Sequence, residues 1–213
     1  MQKLTIKKIL NKKNKTPIVC LTAYTKAIAQ IVDKYCDIIL VGDSLGMVLY
    51  GMKTTKEVKI ETMILHCKVV KKFAKKSLVV FDMPYKTYEN KFTAYKNASK
   101  VINLTKCDAI KLEGGKKIVN IIKYLTKKGI PVMGHVGLLP QTSTNFKTKG
   151  KNLFQRKQIY EDAIAISNSG AFAIVLECVV EDLAKKITKN VSVPTIGIGA
   201  SKYCDGQILV IND

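Results

Sequence analysis

Eight short apolar runs recur along the chain, and they restrict its fold more than any other feature. Most are near-continuous rather than alternating, which is typical of parallel strands buried on both faces. The predicted strands are 18–23, 38–41, 78–81, 109–112, 131–136, 172–176, 194–198 and 208–211. The sequence therefore predicts a largely parallel sheet.

Helical patterns occupy the intervals between these runs. Met63, Cys67 and Val70 recur at the spacing of one helix face, and a later apolar stripe ends at Gly129, a position typical of a helix C-terminal cap. Such alternation of strand and helix favours a (β/α)8 TIM barrel. A doubly wound open sheet is the alternative, although no glycine-rich dinucleotide fingerprint follows the first strand.

The chain ends at Asp213, directly after the eighth predicted strand. The pattern therefore predicts a TIM barrel that lacks its eighth outer helix. We expect either a chain shortened at its C-terminus or a gap that another subunit covers. No repeat or low-complexity linker interrupts the series, which predicts one barrel domain over residues 1–213.

The formal net charge of +20 comes almost entirely from lysine, because Arg156 is the one arginine among 36 basic residues. Nucleic-acid binders usually cluster their positive charge and use arginine for bidentate contacts. The lysines here are dispersed along the polar sides of helical patterns, so we expect solvated helix faces and no nucleic-acid partner. A non-enzymatic protein that binds polyanions remains the alternative.

Membrane and export signals are absent from the sequence. No window approaches the ~18 uninterrupted apolar residues of a membrane span. The basic segment 1–15 lacks the apolar core of a secretory signal. The sequence predicts a cytoplasmic protein with no membrane partner.

Acidic residues stand where four of the predicted strands end. They are Asp43, Asp82, Glu113 and Glu177, and Lys111 and His135 lie inside the fourth and fifth strands. In a TIM barrel these strand ends meet at one rim, where active sites are built. Each residue by itself also has a structural explanation, since Asp43 or Asp82 could cap a helix and His135 could be a hydrogen-bonded core residue.

Carboxylates that share a rim repel one another unless a cation or a proton accompanies them. Oxygen ligands of this kind suit Mg2+, which commonly leaves coordination positions for water and substrate. Glu177, which follows an apolar run, is the candidate general base, and Lys111 supplies a cation for an anionic substrate group. The inferred chemistry is metal-assisted proton abstraction next to the carbonyl of a 2-oxo acid, giving an enolate.

Several motifs in order closely resemble the ketopantoate (3-methyl-2-oxobutanoate) hydroxymethyltransferase family of pantothenate biosynthesis. The similarity runs from about Thr16 to Asp213. The motifs are "ILVGDSLGMVLYG", "FDMPY", "IKLEGG", "GHVGLLPQ", "VLECV" and "PTIGIGASKYCDGQILVIND". The resemblance implies a Mg2+-dependent TIM-barrel enzyme. Such an enzyme transfers a hydroxymethyl group from 5,10-methylenetetrahydrofolate to 3-methyl-2-oxobutanoate and forms 2-dehydropantoate.

The resemblance also implies roles for individual residues. The family's magnesium site falls on Asp43, Asp82 and Glu113. Its contacts to the 2-oxo acid fall on Asp43, Ser44, Asp82 and Lys111, its proton acceptor on Glu177 and its active-site histidine on His135. A homo-oligomer, a decamer in the family, is implied as well.

A Mg2+-dependent lyase or mutase of the phosphoenolpyruvate mutase/isocitrate lyase type is the alternative function, because that group also places acids on Mg2+ at a barrel rim. Its "KKCGH"-type loop has no counterpart in this sequence. The segment 142–152, "TSTNFKTKGKN", departs from the resembling family, being shorter than the loop usual at this place and without paired glycines.

Overall fold

The eight predicted strands close into a parallel barrel in the computed structural model, which describes residues 3–143 and 146–213. The strands are β1 (Ile18–Thr22), β2 (Ile38–Val41), β3 (Leu78–Asp82), β4 (Ala109–Glu113), β5 (Val132–Gly137), β6 (Ala173–Glu177), β7 (Thr195–Ile198) and β8 (Gly206–Leu209). Each strand pairs with its neighbour in sequence, and β8 pairs with β1. The TIM-barrel prediction is confirmed, and the open-sheet alternative is wrong because the first and last strands are hydrogen-bonded.

Helices surround the barrel and close one end of it. They are α1 (Ile6–Leu10), α2 (Lys26–Val32), α3 (Leu45–Tyr50), α4 (Ile60–Phe73), α5 (Lys91–Thr105), α6 (Val119–Lys127), α7 (Leu153–Ser167) and α8 (Glu181–Asn190), with 3-10 turns at Thr55–Glu57 and Lys116–Ile118. Helix α1 closes the N-terminal end, since the fully buried Ile9 packs into the apolar interior of the barrel. Among the described residues, no helix is both long enough and apolar enough to cross a membrane.

In the described chain, no helix lies between β7 and β8. The alternation of strand and helix predicts one there. Residues 199–205 are too few for a helix with its two connections, since a parallel crossover normally takes a dozen residues or more. Val19 of β1 and Leu209 of β8 are consequently 45% and 63% exposed on the outside of the barrel.

Strand pleating divides the apolar residues into two cores. Side chains that point inward, such as Leu40, Val80 and Val175, form the core inside the barrel. Their sequence neighbours, such as Ile39 and Val79, point outward and form a larger core with the helices. Because successive side chains alternate, residues two apart face the same way. Lys111 and Glu113 therefore both point inward above Ala109.

The segment 142–152 belongs to the long connection between β5 and α7, and its residues 144–145 lie outside the described residues. The C-terminal part of this segment pairs with the chain that follows β6. Lys149 forms a bridge with Val179, which follows β6. The connection thus returns to the rim beside the end of β6, next to Glu177.

Candidate active site

The acids predicted from strand ends gather at the C-terminal rim of the barrel. Strand register places Asp82 level with Lys111, and Glu113 level with His135. A cavity of about 470 Å3 opens there, and its lining includes Asp43, Ser44, Asp82, Lys111, Glu113, His135 and Glu177. The structure therefore brings together every site residue predicted from the sequence.

Lys111 is the cation at the centre of this cavity. Its Nζ donates to both carboxylate oxygens of Asp82, each at 2.8 Å, and lies 3.5 Å from Glu113 Oε1. All three side chains are almost completely buried. An unpaired charge would be costly at such a depth, so the ion pairs are needed to hold Lys111 and Asp82 charged.

Asp43 is not a helix cap. The N-cap of α3 is Ser44, while the Oδ2 atom of Asp43 accepts a hydrogen bond from Gln141 Nε2 at 2.8 Å. The Ser44 hydroxyl does not cap the helix with its side chain either, and lies 2.8 Å from the Tyr24 hydroxyl. Asp82 likewise caps nothing, since Asn90 caps the following helix. The helix-cap explanation for these acids is wrong.

His135 lies between two acids. Its Nδ1 is 3.6 Å from Glu113 Oε1, and its Nε2 is 3.2 Å from Glu177 Oε2. Neither ring nitrogen has the angles of a proper hydrogen bond to a described group, so the contacts are those of an ion pair. His135 is fully enclosed, whereas the Glu177 side chain is 17% exposed at the cavity. Glu177 is therefore the acid in this pair that a substrate can reach.

Burial and mutual repulsion govern the two aspartates. Burial raises the pKa of Asp43 well above its ordinary value, and the charges of Asp82 and Glu113 raise it further. Burial also raises the pKa of Asp82, against the attraction of Lys111. The rim is thus short of positive charge when all of its acids are ionised.

The pKa values of the neighbouring Glu113, His135 and Lys111 all shift in the direction that favours their charged forms. Burial would raise the pKa of Glu113, but Lys111 and His135 lower it to about 2. Burial and Lys111 would lower the pKa of His135, but Glu113 and Glu177 raise it to about 9. The acids similarly raise the pKa of Lys111 despite its burial. At neutral pH this predicts an ionised Glu113 between two cations.

Gln141 and Tyr88 belong to the site, although the sequence reasoning did not single them out. The backbone N–H of Gln141 donates to Glu113 Oε2 at 3.1 Å, and the Tyr88 hydroxyl donates to Gln141 Oε1. Gln141 is the last residue of the motif "GHVGLLPQ". A buried glutamine in a glycine- and proline-containing loop carries no periodic signal, so its partners appear only in the folded chain.

A larger cavity of about 650 Å3 lies on the other side of Gln141 and Tyr88. It is lined by the turn at Lys116–Ile118 and by residues of α7 such as Asp162. Glu113 borders both cavities, but the smaller one contains Asp43, Asp82, Lys111, His135 and Glu177. The cluster of candidate catalytic residues therefore lines the smaller of these two cavities.

The residues at this rim fit a magnesium ion. Within the described part of the chain, no three His, Cys, Asp or Glu side chains already form a metal-binding group. Mg2+ does not need one, because it is usually held by one or two carboxylates together with water and substrate. Asp43 and Asp82 are hard oxygen donors whose shared charge calls for a cation. Both oxygens of Asp82 accept from Lys111, so a bound ion would share that carboxylate with the lysine. Both oxygens of Glu113 also have partners, namely Lys111 and His135 at one and the Gln141 N–H at the other.

Comparison with known families identifies the chain. A family model described as ketopantoate hydroxymethyltransferase matches residues 3–213. The chain belongs to the ketopantoate hydroxymethyltransferase family. Members of this family are transferases, so the structure is that of an enzyme and the expected resemblance is confirmed.

Individual relatives support this assignment over almost the whole chain. The 3-methyl-2-oxobutanoate hydroxymethyltransferase of Pelagibacter ubique (strain HTCC1062) is 60% identical over 210 residues, covering 97% of this chain and 82% of the relative. The enzyme of the same name from Rhizobium etli (strain ATCC 51251 / DSM 11541 / JCM 21823 / NBRC 15573 / CFN 42) is 50% identical over 216 residues, covering 100% of this chain and 79% of the relative.

Solved structures with a similar fold come from another group of enzymes. One is 2,3-dimethylmalate lyase, a PEP mutase/isocitrate lyase superfamily member, with a TM-score of 0.70, 12% identity, and coverage of 97% of this chain and 78% of that one. Another is phosphonopyruvate hydrolase in complex with oxalate and Mg++, with a TM-score of 0.70, 11% identity, and coverage of 92% and 72%. At such low identity, the likeness shows the barrel fold alone.

Proposed function

We propose that the ketopantoate hydroxymethyltransferase fold of this chain carries out a Mg2+-dependent reaction through an enolate. 3-Methyl-2-oxobutanoate, 5,10-methylenetetrahydrofolate and water would give 2-dehydropantoate and tetrahydrofolate. The C3–H bond of the 2-oxo acid and the two bonds from the methylene carbon to N5 and N10 of the folate break. A bond from C3 to that carbon forms, water supplies the hydroxyl oxygen, and the proton from C3 and one proton of water end on the two folate nitrogens. The observation that carries this proposal is the placement of Glu177 beside the Asp43, Asp82 and Lys111 cluster.

Asp43 and Asp82 would hold the magnesium ion, with Glu113 completing the charge of the site. When bound, the ion supplies positive charge to the carboxylate and keto oxygens of the 2-oxo acid. The solved phosphonopyruvate hydrolase of similar fold is described in complex with oxalate, a dicarboxylate, and Mg++. Lys111 and Ser44 would bind the remaining oxygens of the substrate, as the family resemblance implies.

The cavity itself orients the substrate. Its polar side is built by the ends of β2 to β5, whereas β6 to β8 and the residues after them contribute apolar side chains in addition to Glu177 and Asp213. The apolar residues are Val175, Ile198, Ile208 and Val210. We assign the carboxylate and keto group to the polar side and the isopropyl group to the apolar side. The C3 carbon then lies at the boundary between them, where Glu177 is located.

Glu177 would act as the general base. It takes the proton from C3, and the electron pair moves into the C2–C3 bond of the enolate. His135, 3.2 Å from Glu177 and enclosed by the barrel, holds that carboxylate in place. Lys111 and the other buried rim residues stabilise charge through fixed groups in a low-dielectric setting. The proton transfer from C3 to Glu177 therefore does not depend on bulk water.

A direct assay tests the proposed reaction. The folded protein is incubated with 3-methyl-2-oxobutanoate, 5,10-methylenetetrahydrofolate and Mg2+, and 2-dehydropantoate is measured. We expect product that depends on Mg2+ and on the folate. Absence of product from a folded sample would refute the proposal, and cleavage of a 2-oxo acid without folate would favour the lyase alternative.

A variant tests the metal site separately. Asp82→Ala should weaken the Mg2+-dependent binding of 3-methyl-2-oxobutanoate, because it removes one of the two carboxylates proposed to hold the ion. Unchanged affinity would assign Asp82 a structural role. The homo-oligomer and the cytoplasmic location remain predictions from the sequence.

A further inference from the structure

One residue connects the ends of three neighbouring strands at the rim, two through its side chain and one through its backbone N–H. The amide Nε2 of Gln141 donates to Asp43 Oδ2, which follows β2, at 2.8 Å. The same nitrogen donates to the backbone carbonyl of Met83, which follows β3, at 2.9 Å. The backbone N–H of Gln141 donates to Glu113 Oε2, at the end of β4, at 3.1 Å. Gln141 is 1% exposed, so water does not compete for these contacts.

Tyr88 determines which way the Gln141 amide points. The backbone N–H of Glu113 donates to the Tyr88 hydroxyl at 3.2 Å, and the hydroxyl donates its own proton to Gln141 Oε1. A flipped amide would place Oε1 against the Asp43 carboxylate and the Met83 carbonyl, which are both acceptors. The observed orientation is therefore the one that satisfies every partner.

These contacts hold one oxygen of each acid and thereby set the direction of the other. Gln141 occupies Oδ2 of Asp43 and Oε2 of Glu113. Among the described residues, Oδ1 of Asp43 has no hydrogen-bond donor, and Oε1 of Glu113 lies beside Lys111 and His135. A carboxylate held at one oxygen cannot rotate freely, so its second oxygen has a defined direction.

We propose that Gln141 is a positioning residue whose side-chain amide, held by Tyr88, orients the Asp43 carboxylate toward the cation site, while its backbone N–H holds Glu113 toward Lys111 and His135. The inference rests on the proposed function, because it assumes that Asp43 contributes to a divalent-metal site. Groups that orient metal ligands through hydrogen bonds typically change metal affinity by about 10- to 100-fold when they are removed. Gln141 acts through the acids and needs no contact with substrate.

Direct titration with Mn2+ in the absence of substrates, monitored by electron paramagnetic resonance, tests the proposal. Gln141→Met keeps the length of the side chain and removes its donors and acceptor, and we expect about 10- to 100-fold weaker Mn2+ binding. Tyr88→Phe should give a smaller loss, because it removes only the group that fixes the amide.

Gln158→Met is the matched control, since Gln158 is an exposed glutamine of α7 that lines the larger cavity and not the cavity that contains Asp43. It should bind Mn2+ like the unmodified protein. Wild-type Mn2+ affinity in folded Gln141→Met and Tyr88→Phe variants would overturn the positioning role. If Gln141→Met does not fold, Tyr88→Phe decides by the same criterion.

Asp43→Asn separates this inference from the proposed function. If Asp43→Asn abolishes Mn2+ binding while Gln141→Met leaves it intact, the result supports the proposed metal site and refutes the positioning role of Gln141. If Asp43→Asn has no effect either, the proposed metal site itself is refuted. Steady-state kinetics provides a second measurement. Gln141→Met should raise the KM for the 2-oxo acid more than the KM for the folate.

Discussion

Lys111 Nζ lies 2.8 Å from both carboxylate oxygens of Asp82, in register across β3 and β4. The pair places a fixed ammonium ion inside an acidic rim, where it can meet an anionic substrate. A lysine in the middle of a strand normally directs its charge to solvent. Here the inward pleat and the acids around it keep the charge inside the barrel.

We expect Lys111→Met to destabilise the protein by about 3 kcal/mol when no metal is present, because it leaves Asp82 and Glu113 buried without their shared cation. Urea unfolding measures the loss. The double variant Lys111→Met, Asp82→Asn should be less destabilised than Lys111→Met alone. An equal or larger loss in the double variant would show that the ion pair does not dominate.

Glu177→Gln should slow deuterium exchange at C3 of 3-methyl-2-oxobutanoate by at least about 100-fold, because general-base catalysis typically contributes that much. Nuclear magnetic resonance of the substrate in D2O follows the exchange. Mn2+ affinity provides the control and should be unchanged, since Glu177 is not assigned to the metal. Exchange at the wild-type rate would remove Glu177 as the base.

Gly137→Ala should displace the end of β6 and reduce turnover. Gly137 has φ +96°, and a Cβ built on it would lie 2.4 Å from the backbone oxygen of Glu177. Steric overlap and backbone strain together predict a loss of about 3 kcal/mol in unfolding free energy.

Gly129→Ala is the matched control for this substitution. Gly129 also has positive φ, +81°, but a Cβ there meets no atom within 4 Å. Backbone strain alone predicts that the free energy of unfolding falls by about 1 kcal/mol and that turnover is unchanged. Comparable losses of stability and activity in both variants would contradict the steric argument at Gly137.

Asp108 makes stability depend on pH at the opposite end of the barrel. Burial would raise the pKa of Asp108, but hydrogen bonds from Lys3, Lys71 and the Val79 N–H lower it below 3.8. A lowered pKa in the folded state stabilises the protein fully above pH 3.8, and this contribution is lost as the pH falls through the folded-state pKa.

Asp108→Asn should therefore lower the free energy of unfolding by about 1 kcal/mol at pH 7, and by less at pH 3. Urea unfolding of both proteins at the two pH values provides the comparison. Asp182→Asn, an exposed partner of Arg156, is the control and should change little. An Asp108→Asn effect that is the same at both pH values would rule out the charge as its cause.

Local pattern was enough to predict the strands and the rim acids. The predicted strand bounds lie within two residues of the observed ones, because buried parallel strands are continuous apolar runs that end where polar residues begin. Asp43, Asp82, Glu113 and Glu177 stood out because each interrupts such a run. The wrong expectation of a helix between β7 and β8 came from extending the alternation into residues 199–205, which are too few to contain one.

The sequence by itself determined the barrel, the set of acids and lysine at its rim, and the family. All of these are encoded in residue type and spacing along the chain. Only the tertiary structure decided the hydrogen bonds at the rim. Gln141 contacts Asp43, Met83 and Glu113, and the Tyr88 hydroxyl holds the Gln141 amide. Gln141 and Asp43 are 98 residues apart. Hydrogen bonds across such a separation form only when barrel closure brings strand ends together, so they leave no periodic trace in the sequence.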